Sequence, residues 1–245
     1  MSAPVTYQNL RTFLTNPPRY ILQQRGELDV PEMTDEQHLT VLLSSIYAEA
    51  DVSAYYKVVD APNKRVKAWT EAKAQACAEG MYPVLASQLE TLHAMAASLR
   101  NNTRLEALRE TEDLHVRLSE TYTREDKPED QELALPIRAR ATIAVPSHYT
   151  VIVRTVDKIE NWASSYKFAN WAFPACFAAT AVRAQKAYVA IVEYAEPHCT
   201  VLVQCPLSEQ QDIILQGLQR LAEYEAKNLF MKDMHQYVDL ADAAD

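Results

Sequence analysis

Histidine and cysteine carry most of the reactive potential of this 245-residue chain, with six of the first and four of the second. His198 and Cys199 are adjacent, Cys205 follows, and His148 sits in a comparable Pro-containing turn earlier in the chain. Two imidazoles and a thiolate would suit zinc, which takes three or four such ligands at a tetrahedral centre. The spacing speaks against it: there is no CxxC, HxxxH or HExxH run. Cys199 and Cys205 would also stand about 20 Å apart on one extended strand, at roughly 3.3 Å per residue. Cys176 follows Pro174 among Phe173, Phe177 and alanines, an apolar setting that raises a thiol pKa and marks a core cysteine. No catalytic residue, no metal ligand and no cofactor is expected.

Phosphate-cradling loops are excluded more firmly. Gly26, Gly80 and Gly217 are the only glycines, and such loops need clustered glycine for backbone approach and positive φ. No GxGxxG, GxxxxGK[ST] or GxSxG pattern can be written. Rigid, turn-poor backbone suits contact better than strained catalytic geometry, so the leaning is away from an enzyme.

Two basic groups could hold anions. Lys64, Arg65 and Lys67, with Trp69 beside them, fall in a first helical turn, where cations cost about 0.3–1 kcal/mol against the macrodipole. A bound anion would offset that cost. Arg138 and Arg140, joined by Arg154, lie on the less apolar face of a candidate strand pair, with Glu193 as an available partner. The net charge of −9 and pI near 5.2 oppose nucleic acid at long range, leaving a local patch as the remaining route. The third anomaly is aromatic. Trp162, Tyr166, Phe168 and Trp171 fall on several sides of one helix, which is then buried on several sides or faces a partner subunit.

The elements that must position these residues follow from periodicity and breakers. Thr34 and Gln37 form a capping-box pattern, and Leu39, Leu42, Leu43, Ile46 and Ala50 continue at helical spacing. They predict a helix over about 34–59. Further helices are expected over about 63–79, 83–99 and 102–122, with Gly80 closing the first and Pro83 opening the second. Arg124-Glu125-Asp126-Lys127-Pro128-Glu129-Asp130 reads as a linker. Period-two patterns then predict strands over about 137–145, 149–156, 188–194 and 199–205. Helices over about 157–186 and 208–238 follow each pair. His, Thr and two Val positions recur between 148–153 and 198–203, consistent with a duplicated ββα unit.

The expected fold class is therefore α+β, with a helical N-terminal half (1–125) and a ββα-ββα antiparallel-sheet half (126–245) ending in a long helix. No apolar run approaches the roughly 18 residues of a membrane span, and the expected compartment is intracellular. It is cytoplasmic, or mitochondrial if the acid-free, Arg-bearing first 26 residues are a transit segment. The expected function is that of a non-catalytic structural or assembly subunit, cellular or viral, working through protein–protein contacts or as a homo-oligomer. The alternative is an anion- or RNA-binding module. The third is an enzyme using His148, His198 or Cys176.

Overall fold

The computed structural model describes residues 3–29, 33–53, 55–59, 66–110, 116–126, 132–156, 165–194, 196 and 200–226. The fold is α+β. A six-stranded mixed sheet forms the centre and a two-stranded sheet lies beside it. Among the described residues no helix is long and apolar enough to cross a membrane.

Sequence patterning builds the sheet locally. Strands β5 (Ile137–Val145) and β6 (Tyr149–Val156) are joined by a tight turn and pair antiparallel, as a short connection requires. Helix α7 (Ser165–Ala181) then crosses to β7 (Lys186–Glu193), so β6 and β7 run parallel over their whole length. That crossover makes the sheet mixed. Strand β8 (Thr200–Gln204) returns antiparallel on β7, and α8 (Leu207–Ala226) packs back against α7.

Both faces of the sheet are buried, which two following helices alone cannot achieve. Val151, Val153, Ala190 and Val192 pack against α3 (Asp35–Tyr47) and α5 (Ala86–Arg100). Ile152, Val189 and Ile191 face α1 (Tyr7–Thr15), α2 (Pro17–Gln24), α7 and α8. Hence the near-continuous apolar runs of β6 and β7, typical of strands covered on both sides. Gly217 lets α1 and α8 approach closely: a Cβ there would lie 3.1 Å from Leu10 Cδ1 and 3.2 Å from Leu14 Cδ2.

Several expected helices end early. The capping box on Thr34 and Gln37 is present, but α3 stops at Tyr47 with Ala48 as its C-cap, and Glu49 then adopts φ 57°. Aromatic and β-branched residues then form strand β2 (Tyr56–Val59) inside the range expected to be helix. Pro83 opens no helix: it lies in strand β3 (Tyr82–Leu85), which pairs parallel with β2 across α4 (Val66–Ala78). The helix expected over 102–122 is α6 (Thr103–Glu110), followed by strand β4 (Arg117–Arg124) on the edge of β5. Polar strands such as β4 lack an apolar alternation strong enough to read. The short N-terminal strand β1 (Val5–Thr6) also joins β5. The ends of the helices expected over 63–79, 157–186 and 208–238 lie partly outside the described residues.

Arg124 and Asp126, expected in a solvated linker, are instead among the most buried charges. Asp126 accepts from Arg124 at 2.8 and 2.9 Å, from Arg183 at 2.9 Å and from the Leu133 N–H at 3.0 Å. Arg124 also donates to the Thr180 carbonyl at 2.9 Å and pairs with Glu132. Charges can be buried when every partner is supplied, and this network ties the start of that segment to the end of α7.

Scarce glycine also leaves ordinary residues in left-handed conformations: Ser147, in the β5–β6 turn, has φ 66°. The αL conformation costs a residue with a Cβ about 1–2 kcal/mol, while glycine costs about 0.4–1 kcal/mol in unfolded-state entropy. Ser147→Gly should therefore raise stability by up to about 1 kcal/mol, seen as a higher midpoint in urea unfolding.

Candidate anion site in a strand fork

β4 occupies one edge of β5 from Ile137 to Ala144, so β1 and β6 must share the other. β6 holds Ile143–Val145 and β1 holds Ile137–Arg138. Between them, residues 139–142 have no ladder partner on that edge. The strands part at Thr142, whose Oγ1 accepts from the Val153 N–H at 3.2 Å in place of a backbone carbonyl. Ser44 Oγ on α3 meets the same hydroxyl at 3.1 Å.

This parting opens a cavity of about 200 Å³. One face of α3 supplies Gln37, Thr40, Val41 and Ser44, spaced three and four apart as one helical stripe requires. β5 contributes Arg140 and Thr142, β6 contributes Arg154, and Tyr7 and Pro174 come from α1 and α7. Among the described residues no Asp, Glu, His or Lys lines it.

The two arginines reach the cavity from opposite faces of the sheet. Arg140 is exposed on the α3 side, where its Nη2 donates to Ser119 Oγ at 2.7 Å. Arg154 follows Ile152 in period two, on the face packed by α7, and is half-buried. Its Nε is buried with no hydrogen-bond partner among the described residues, and so is Thr40 Oγ1. Buried donors without acceptors are rare and costly, about 1–3 kcal/mol each. Tyr56 stands near enough to feel Arg140: burial pushes its hydroxyl above the usual value, against the opposing pull of that charge.

The sequence-predicted residues are thus sorted by the fork. Arg140 and Arg154 come together, though not on one face as the strand pattern suggests. Arg138 is exposed on β5, beside β1, and does not line the cavity. Lys64, Arg65 and the Lys67 side chain lie outside the described residues, as do Trp162 and the side chains of Tyr166 and Phe168. Trp171 is half-buried and packs against the α7-side core. His148 holds the β5–β6 turn, its Nδ1 3.0 Å from the Pro146 carbonyl; His198 and Cys199 lie outside the described residues. Cys176 and Cys205 are both buried, and the hydrogen bond that holds the Cys176 proton against Cys205, together with burial, drives the Cys176 thiol well above its ordinary pKa. That disfavours the thiolate a nucleophile needs. No group of three His, Cys, Asp or Glu able to hold a metal ion occurs among the described residues.

No protein-family model matches the chain, and no curated protein does. The fold has a solved counterpart. A crystal structure named "Putative exonuclease" from Eubacterium rectale aligns with TM-score 0.56 at 7% identity, covering 90% of this chain and 79% of that one. The likeness is one of fold. A second structure, named SSO0001, aligns with TM-score 0.35 at 11% identity over 78% of this chain and 88% of that one, too loosely to bear on the architecture.

Sequence reasoning missed the contribution of α3. The available signal was Thr40 and Ser44, a polar i, i+4 pair set among Leu39, Leu42, Leu43 and Ile46. Hydroxyls in an otherwise apolar stripe demand a polar neighbour.

Proposed function

We propose that this chain binds the phosphate groups of nucleic acid at the β5–β6 fork and does not cut them. The observation that carries the reading is the cavity's charge: two guanidinium groups and no carboxylate among its described lining residues. Metal-assisted phosphodiester cleavage needs Mg²⁺-type ions held through oxygen ligands such as carboxylates. Arginine is the residue suited to holding phosphate, through planar, charge-assisted donors. The name carried by the Eubacterium rectale protein is compatible with a nucleic-acid ligand. The chain's net charge of −9 opposes approach, but charges beyond about 8 Å are largely screened at physiological salt. Contacts inside the cavity are screened far less.

The test is fluorescence anisotropy with a labelled single-stranded oligonucleotide at several salt concentrations, alongside a Mg²⁺- and Mn²⁺-supplemented cleavage assay. Salt-sensitive binding without cleavage is expected. Cleavage abolished by Arg154→Ala would refute the reading.

A second reading, a structural subunit working through protein contacts, is favoured by the exposed Tyr55 and Val58, 69% and 50% accessible, at and beside β2. Exposed apolar residues on a sheet edge invite pairing with another chain. Light scattering on the native protein should then give a mass above that of one chain, falling toward it in Val58→Lys.

A further inference from the structure

We infer that the fork is a socket for a single phosphomonoester dianion, with the rest of the ligand left outside. This rests on the phosphate-binding reading above and narrows it to a chemical group. Size comes first. About 200 Å³ falls below the roughly 300–1,000 Å³ of cavities that enclose a whole ligand. It equals the space of about seven waters, enough for one phosphoryl group. Charge comes second. Arg140 and Arg154 together balance an oxyanion of charge near −2, which a phosphomonoester carries above its second pKa of about 6 and a diester never does.

Unfilled donors are the third observation. Thr40 is only 8% exposed, lines the cavity, and its Oγ1 has no partner among the described residues. Arg154 Nε on the opposite wall is in the same condition. A tetrahedral oxyanion between them would accept from both. Tyr7, Arg140 and Arg154 are the ionisable side chains among the described lining residues, and a phosphomonoester's second ionisation falls between pH 5 and 8. Any change in affinity there would report the ligand's own ionisation.

The group could belong to a strand end or to a small phosphate ester, and one set of titrations separates the two. Single-stranded oligonucleotides with a 5′-phosphate, a 3′-phosphate or hydroxyl ends are compared with a nucleoside monophosphate and inorganic phosphate. A phosphate-ended strand binding at least tenfold tighter than its hydroxyl-ended twin is expected, with the preference shrinking severalfold from pH 7.5 to pH 5. Thr40→Val should cut that preference severalfold while leaving the free protein at least as stable, since it removes an unsatisfied buried hydroxyl. A merely structural threonine would not move the preference. Equal binding of all strands overturns the monoester inference and leaves the nucleic-acid reading standing. Binding of inorganic phosphate and the monophosphate with no strand bound supports the socket and overturns nucleic acid as its ligand. Binding of none of them overturns both.

Discussion

Asp126→Asn should be the most damaging conservative substitution among the described residues, lowering stability by about 3–5 kcal/mol. Its carboxylate is fully buried and serves Arg124, Arg183 and the Leu133 N–H at once. Arg124 is itself only 5% exposed. Asparagine keeps the shape but removes the charge, leaving a buried guanidinium with Glu132 as its remaining ionic partner among the described residues. Set against a typical total of about 5–15 kcal/mol, that loss is a third or more of what holds a domain folded. Urea unfolding at pH 7 measures it directly.

The same network predicts a direction in pH. Burial alone would raise the Asp126 pKa, but the hydrogen bonds from Arg124 and the Leu133 N–H outweigh it, and the carboxyl sits below its usual range. A depressed folded-state value means the unfolded chain takes up the proton first. The stabilisation is complete above the unfolded value of about 3.9 and disappears as pH falls through the lower folded value. The wild-type protein should therefore lose stability below about pH 4. Asp126→Asn, already lacking the interaction, should show a shallower acid slope. Equal slopes would mean that other carboxylates govern acid unfolding.

Arg154→Ala should weaken oligonucleotide binding roughly tenfold to a hundredfold, the range of one or two charge-assisted hydrogen bonds at about 1.5–3 kcal/mol. Arg140→Ala should do less, because its side chain is exposed and already engaged by Ser119. The double variant should reduce the slope of log K against log salt by about 0.7 for each phosphate no longer neutralised. Stability should barely change in Arg154→Ala, since its Nε has no hydrogen bond among the described residues to lose. A variant that binds normally would remove the fork from the ligand's path.

Much of the secondary structure was legible in the sequence because it is locally encoded. The capping box at Thr34, the period-two run of β5 and the short β5–β6 connection each depend on residues within one or two turns of chain. What escaped was set at a distance. β4 is a polar strand that exists because the far edge of β5 was open to it. β2 and β3 are short strands that, among the described residues, pair only with each other, across a helix. Arg124 and Asp126 look like linker until Arg183 and the Thr180 carbonyl arrive from the end of α7.

The sequence alone determined the α+β class and ruled out glycine-rich phosphate loops, because both follow from residue type and near-neighbour spacing. It also grouped Arg138, Arg140 and Arg154 on the less apolar face of a strand pair as an anion site. The tertiary structure decided that Arg138 stays outside the cavity and that Arg140 and Arg154 share it. Their side chains leave opposite faces of the sheet, and only the parting of β5 from β6 beside α3 lets them meet. Strand divergence arises from competition between β1 and β6 for one edge of β5, and a choice among distant partners leaves no trace in local pattern.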